Sequence, residues 1–280
     1  MESEDLSLED RVALVTGAGA GIGRGIALGF AKLGAHVVIA EVDPVRAERC
    51  AGAVRALGRE ALVVSTDVMD SDQVRAAVEA ADSRFGRLDV LVNNAGGVRM
   101  RAFREQSERS WRRHIDLNLV SVLAACHAAI PIMIREERGG SILNVVSIEA
   151  FRAAPGYAVY AACKAGLVNF TRTLAIELSE HGIRVNGIAP DQTDTPGLRG
   201  RMSAADDDRP LPELGAAERA MLARRIPMAR MGLPDECARA AAFLVSDLGS
   251  YVTGTTLHVD GGTWASSGWL RQEDGSWSLG

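Results

Sequence analysis

Tyr160 and Lys164 stand four residues apart within Tyr157–Ser179, a stretch whose apolar spacing reads as a helix, so both side chains fall on one helical face. The composition around them gives the pair weight. The chain holds 31 basic residues, of which only Lys32 and Lys164 are lysines, and it holds three tyrosines. Where a bare positive charge suffices, this sequence uses arginine, so Lys164 calls for a task that a guanidinium performs badly. A phenol titrates near pH ~10 and is a poor base at neutral pH. A nearby ammonium favours the phenolate and lowers that pKa. A lysine also hydrogen-bonds a ribose hydroxyl with an aim that arginine does not share. The chemistry indicated is proton transfer to or from a hydroxyl. Ser147, 13 residues before Tyr160 and at the end of a strand, is placed to hold the reacting oxygen. Asn118 lies inside a helical run, where asparagine is mildly unfavourable, and is placed to anchor a water chain towards Lys164. The competing reading of Tyr-x-x-x-Lys, a solvated surface pair, is weakened by the arginine bias.

A second group of residues reads as a dinucleotide site. Thr16-Gly17-Ala18-Gly19-Ala20-Gly21-Ile22-Gly23 lies between a β-rich run and a helical one. Glycines there let the backbone turn tightly against a pyrophosphate, and the helix start supplies unpaired N–H groups and a partial positive charge. Glu41 ends the next strand, 18 residues after Gly23. That is close to the ~20-residue spacing at which an acid meets adenosine ribose hydroxyls. Neither Val42 nor Ala20 is basic, so nothing obvious pairs with a 2′-phosphate, and NAD is favoured over NADP. Asp67-Val68 ends a third strand beside the adenine edge, and Asn93-Asn94-Ala95-Gly96 ends a fourth, where small residues let the chain pass close to a cofactor.

The elements that must position these groups alternate. Strands are predicted over Arg11–Thr16, His36–Glu41, Ala61–Thr66, Leu88–Val92, Ser141–Val146, Ile183–Ile188 and Thr256–Val259. Helices are predicted over Gly21–Leu33, from Pro44 to about Gly58, over Ser71–Phe85, over Glu108–Arg135 with a bend at Pro131, over Tyr157–Ser179 and over Asp235–Val245. Near-continuously apolar strands alternating with helices imply a parallel sheet covered on both faces. Right-handed crossovers make it a doubly wound, Rossmann-type α/β fold of about seven strands, with ligands at the carboxyl ends of the strands. No internal repeat or linker divides the chain, so residues 1–280 read as one domain. Residues 190–225, rich in proline and carrying Asp206-Asp207-Asp208, read as a substrate loop or mobile lid, and 263–280 as a C-terminal tail.

Composition excludes some partners. A hydrophobic share of 47%, a charged share of 24% and a net charge of -5 give no reason to expect nucleic acid or an anionic membrane. No apolar run reaches the ~18 residues of a bilayer span, and the acidic start, Met1 to Asp10, lacks a signal-peptide pattern, so a cytoplasmic location is expected. Cys50, Cys126, Cys163 and Cys237 form no C-x-x-C pair and read as buried thiols, with no metal expected.

Taken in order, these motifs resemble the short-chain dehydrogenase/reductase family over about Leu8 to Gly262: T-G-x-x-x-G-x-G at Thr16–Gly23, N-N-A-G at Asn93–Gly96, Asn118, Ser147, Y-x-x-x-K at Tyr160–Lys164, Arg184-Val185-Asn186, Thr253-Gly254 and Val259-Asp260-Gly261-Gly262. The resemblance implies that Tyr160 is the general acid/base, that Ser147 orients the carbonyl oxygen, that Lys164 lowers the Tyr160 pKa and binds the nicotinamide ribose, and that Asn118 supports a proton relay. It implies cofactor contacts at Gly17, Gly19, Gly21, Ile22, Gly23, Glu41, Asp67, Val68, Asn94, Ala95, Gly96, Tyr160, Lys164, Pro190, Thr193 and Thr195. The implied reaction moves a hydride between a nicotinamide and a small-molecule secondary alcohol or ketone, without a metal, in a homotetramer. A reductase of 3-oxoacyl thioesters using NADPH is the alternative within the family, opposed by Glu41-Val42. A non-catalytic nucleotide-binding scaffold is opposed by the intact Asn118, Ser147, Tyr160 and Lys164.

Two departures stand out. The family usually has Pro-Gly after the sixth strand, and this chain has Pro190-Asp191, which sets a side chain beside the nicotinamide position. Glu149 stands where the family tends to be small and apolar, and it either lines the pocket or pairs with Arg152 at the rim. Arg99, Arg101, Arg104 and Arg152 are either solvated or a weak sign of an anionic substrate. In the tail, Trp264, Trp269 and Trp277 are three of the four tryptophans. Such rings bury against something, either a neighbouring subunit through Trp269 and Leu270 or the tail's own subunit.

Overall fold

The computed structural model describes residues 6–135, 137–200, 204 and 213–279. The sheet is built from β1 (Val12–Thr16), β2 (His36–Glu41), β3 (Ala61–Ser65), β4 (Val90–Asn93), β5 (Gly140–Val145), β6 (Ile183–Pro190) and β7 (Thr256–Val259). Its order is β3-β2-β1-β4-β5-β6-β7 and all its pairs are parallel. Every residue of β1 and β4 is buried, as a strand covered on both faces requires. The order reverses at β1, between β2 and β4, so a crevice opens there beyond the strand ends.

Alternate strand residues feed two cores. Ala13, Val15, Val37 and Ile39 point to the side covered by α1 (Gly21–Lys32), α2 (Pro44–Ala56) and a later helix. Val12, Leu14, Val38 and Leu91 point to the side covered by α3 (Ser71–Phe85), α5 (Ser121–Arg135) and α6 (Ala158–Glu177), while α4 (Glu108–Ile115) packs on α6 outside this core. The start of α2 is fixed by Asp43, whose carboxylate accepts from the Val45 and Arg46 N–H groups, with Pro44 in the first turn. Asp70 does the same for α3 at the Asp72 and Gln73 N–H groups. All four cysteines are buried and free, and burial pushes the thiols of Cys50 and Cys126 up to about 11 and about 12.

Two sequence expectations change. The helix expected over Glu108–Arg135 is two α-helical pieces joined by a wide π turn at Asp116–Val120. By length and apolarity alone this continuous 28-residue run could cross a membrane, against the expectation that no run is long enough. Its apolar side is spent internally: Val122, Ala125, Cys126, Ala129 and Met133 are buried against the sheet and α3. Ile115 and Leu123 on the same run stay exposed.

Beyond β6 come α7 (Ala216–Arg225) and α8 (Pro234–Val245). Part of the expected lid, 201–203 and 205–212 with its aspartate run, lies outside the described residues. The tail forms a hairpin, β8 (Trp269–Arg271) with β9 (Trp277–Leu279). It folds back on its own chain, since β8 packs on α7 and Arg271 donates to the Pro227 carbonyl at 3.1 Å while lying over the Trp277 ring, yet Trp264, Trp269 and Trp277 stay 40%, 45% and 40% exposed, so the expected burial of these rings is not met within the chain.

Candidate active site

The site grows from the carboxyl ends of β1, β4, β5 and β6. Thr16 ties the first two together, because its hydroxyl donates to Val92 O and accepts from the Asn94 and Ala95 N–H groups. The Asn94 side chain returns to the Thr16 carbonyl at 2.8 Å. Across β4 and β5 a buried polar chain runs from the Asn93 amide to Asn144 Oδ1, and from the Asn144 amide to the Thr171 hydroxyl on α6, each at 2.9 Å. Such satisfied buried bonds fix the lateral position of α6 against β5. Tyr160 and Lys164 ride on that helix.

The glycine loop behaves as its sequence suggests. Gly17 and Gly21 have positive φ values of 64° and 55°, which side-chain-bearing residues rarely adopt. A Cβ on Gly23 would fall against the Gly17 carbonyl and the Asn94 amide, so only glycine lets α1 begin this close to the loop. Ala20 at the N-cap offers no side chain to the first turn, which leaves those N–H groups for a ligand. Glu41 is buried at the end of β2. It accepts from the Gly19 N–H at 2.9 Å with one oxygen and from Val42 and Asp43 N–H groups with the other.

Gly17, Gly21, Ile22, Glu41, Asp67, Val68, Asn94, Ala95, Gly96, Ser147, Tyr160, Lys164, Pro190 and Thr195 line one cleft of about 600 Å³. That volume and shape suit a dinucleotide with a small substrate. Four expected residues do not line it. Gly19 opens on a neighbouring hollow, Gly23 is pressed against the loop, and Thr193 is buried beside Cys237. Asn118 is fully buried behind the cleft. Its carboxamide bridges Gly97 in both directions, at 3.0 and 2.9 Å, and also bonds His114 O, inside the π turn. The sequence reading missed Arg46, Met69, Arg113 and Leu117 in the cleft wall. Arg46 was readable in principle: Pro44 sets the helix start, and the first turn of α2 then faces the glycine loop.

The proton-carrying groups are tuned by burial. Lys164 is 3% exposed and its Nζ donates to the Val145 carbonyl at 2.8 Å. Desolvation pulls its pKa down to about 8. The same ammonium stands 5.7 Å from the centre of the Tyr160 ring. Burial pushes the Tyr160 phenol up to about 12, with Ser147 pulling it back and the Glu149 charge adding to the rise. The direction of the shift is set by desolvation of the phenolate, and Lys164 is not among the groups that move it.

Glu149 resolves into the rim pair. Arg152 holds it at 2.9 Å and reaches Asp191 at 3.5 Å. Arg99, Arg101 and Arg104 are exposed.

Fold and cleft together define a dinucleotide-binding oxidoreductase. A family model described as enoyl-(acyl carrier protein) reductase matches residues 17–263. The 3-oxoacyl-[acyl-carrier-protein] reductase of Thermotoga maritima is 38% identical over 257 residues, 92% of this chain and 99% of that protein. Galactitol 2-dehydrogenase of Agrobacterium fabrum is 37% identical over 261 residues, 93% of this chain and all of the relative. A solved 7α-hydroxysteroid dehydrogenase, complexed with NADH and 7-oxo glycochenodeoxycholic acid, superposes with a TM-score of 0.84 at 34% identity, covering 94% of this chain and 97% of that one. The chain belongs to the short-chain dehydrogenase/reductase family and is an oxidoreductase.

Proposed function

We propose that this protein moves a hydride between NAD and a secondary alcohol or ketone, with Tyr160 carrying the proton. The observation that carries the reading is the convergence of Ser147, Tyr160 and Lys164 on the same cleft as the glycine loop and Glu41. The cleft fits the cofactor: glycines where a Cβ would intrude, uncapped N–H groups at the start of α1, and small residues at Ala95 and Gly96. When bound, the nicotinamide supplies the hydride acceptor or donor. The protein's own residues do the rest. Ser147 holds the substrate oxygen beside the phenol. Tyr160, protonated at neutral pH, gives its proton to a carbonyl oxygen in reduction and takes one from the hydroxyl in oxidation. With the phenol's pKa lying high, oxidation should speed up as pH rises. Lys164 is placed to hold a ribose hydroxyl, and Asn118 keeps the π turn open for a water relay. The names of the galactitol and hydroxysteroid relatives agree with CH–OH chemistry.

For the cofactor, the buried Glu41 carboxylate favours NAD by repelling a 2′-phosphate. A second reading, NADP with a 3-oxoacyl thioester, draws on Arg46 in the cleft wall beside Glu41 and Val42. Titration of both dinucleotides by fluorescence decides: tighter NAD supports the first reading and tighter NADP overturns it. Tyr160→Phe should cut turnover by at least ~10²-fold with NAD binding retained. Near-full turnover in that variant on a verified substrate would refute the mechanism. The family resemblance further supports one 280-residue domain, assembled as a homotetramer in the cytoplasm, which light scattering and fractionation would test.

A further inference from the structure

The substrate end of the cleft carries a charge arrangement that the hydride-transfer reading leaves unused. Ser147 is followed by a short 3-10 turn, Ile148–Ala150, in which the Glu149 N–H donates to Ser147 Oγ at 3.2 Å. That turn sets the Glu149 carboxylate near the reacting phenol, close enough to raise its pKa. Arg152 grips Glu149 through Nε at 3.3 Å and Nη2 at 2.9 Å. The same Nη2 stands 3.5 Å from Asp191 Oδ1, a long contact. Asp191 follows Pro190 at the end of β6 and lines the cleft with Ser147 and Tyr160, its side chain only 10% exposed. Burial raises its pKa, against the pull of Arg152 and of Thr263. Asp260, beyond β7, adds a third carboxylate within electrostatic reach of both Arg152 and Asp191.

One guanidinium therefore serves three carboxylates. An ionised carboxylate has about four acceptor sites. The distant Arg152 nitrogen uses part of those on Asp191, while the Thr263 hydroxyl donates to the Asp260 carbonyl, and Asp191 itself lines the cleft. Such a wall discriminates between substrate classes. A purely hydrocarbon alcohol would desolvate Asp191 without returning a hydrogen bond, which is costly. A hydroxy acid would set a further negative charge beside Glu149, Asp191 and Asp260. An amino alcohol would have to strip the water from its ammonium to reach a buried carboxylate that Arg152 already faces. A second, neutral hydroxyl meets the demand, because it donates to Asp191 in the cleft wall and brings no charge to be desolvated.

We propose that Asp191, held by Arg152 and Glu149, is a specificity-determining residue that selects neutral polyhydroxylated alcohols bearing a second hydroxyl close to the reacting carbinol. This rests on the hydride-transfer reading of Tyr160. The test measures NAD-dependent oxidation in matched pairs, butane-2,3-diol against butan-2-ol and cyclohexane-1,2-diol against cyclohexanol, with 1-aminopropan-2-ol and 3-hydroxybutyrate as charged controls. The diol should lead its partner by about 10²-fold in kcat/KM, below the about 10⁴-fold of a fully enclosed hydrogen-bonding site. Asp191→Gly should bring that ratio close to one, and Asp191→Asn should keep part of it through its carboxamide oxygen. Calorimetric binding of each pair to the NAD-loaded Tyr160→Phe protein, with and without the Asp191 change, should follow the same ratios without turnover. If Asp191→Gly fails to fold, Asp191→Asn decides alone. Equal rates within each pair, preference for a charged control, or a diol preference that survives Asp191 replacement would overturn the inference while leaving hydride transfer standing. Oxidation of none of these alcohols, with no effect of Tyr160→Phe on any reaction found, would sink the hydride-transfer reading and this inference with it.

Discussion

Replacing Lys164 with methionine tests whether the fold tolerates a buried ammonium for the sake of the reaction. In the folded chain the Lys164 pKa lies at about 8, against 10.5 for an unhindered lysine. A lysine with a depressed folded pKa binds its proton more weakly in the folded state. Above pH 10.5 the group is neutral in both states and costs nothing. As pH falls towards 8 the unfolded chain takes up a proton that the folded chain does not, and stability drops; below 8 the penalty is constant. Two and a half pH units at ~1.4 kcal/mol each give a full penalty of about 3 kcal/mol, of which about 2 kcal/mol develops between about pH 10 and about pH 7.5. Lys164→Met removes the charge and leaves the Val145 carbonyl without its partner, a pH-independent cost of about 1–3 kcal/mol. Urea unfolding of both proteins without cofactor, at the two pH values, isolates the effect. Tyr160 does not disturb the comparison, because its raised pKa takes stability away only between 10 and about 12 and does so in both proteins. The unmodified protein should lose about 2 kcal/mol more than Lys164→Met on moving to the lower pH. Parallel pH profiles for the two proteins would refute the argument that burial sets the state of this lysine.

Glu41→Ala should narrow the preference for NAD over NADP, and it should weaken NAD binding as well, because Gly19, Val42 and Asp43 lose the acceptor that shapes the loop; competition of the two cofactors in a fluorescence titration reads both effects. Gly23→Ala should abolish dinucleotide binding and lower Tm by several degrees, on the order of the 1–3 kcal/mol of an overpacked site, measured by thermal melts with and without NAD. Truncation after Gly262 removes the hairpin that Arg271 fastens to Pro227, so KM for substrate should change more than KM for NAD. Unchanged kinetics would show that the tail has no part in holding α7.

Much of this was legible because the strands are buried on both faces. Runs such as Val12-Ala13-Leu14-Val15 and His36–Glu41 leave little choice of structure when glycines and capping aspartates punctuate them. The doubly wound arrangement followed from right-handed crossovers, and Ser147, Tyr160 and Lys164 reached one cleft because they sit at the end of β5 and on the helix after it. What escaped the sequence depends on three-dimensional context. The direction of the Tyr160 pKa is decided by burial, which spacing does not report. Arg46 enters the cleft wall through the aim of a helix start rather than through adjacency to Glu41. Glu149 had two equal readings until Arg152 and Asp191 were placed around it. The π turn had a single faint sign, an asparagine in the middle of an apolar helix.

That turn also limits how the chain can vary in length. A π turn holds one more residue than an α-helical turn over the same rise, so Asp116–Val120 amounts to a single-residue insertion in a regular helix. Removing any one of those five positions would restore ordinary helical bonding and close the ladder over the Asn118 carboxamide. The flanking pieces, Glu108–Ile115 and Ser121–Arg135, would keep their facing, because the wide turn already absorbs the extra residue within one turn. The smoother helix would be the more regular one, with every turn closed by ordinary i→i−4 bonds. Apart from Asn118, drift by substitution is open to this segment, while drift by deletion is closed, and the site is defended here by a residue count as well as by a residue type.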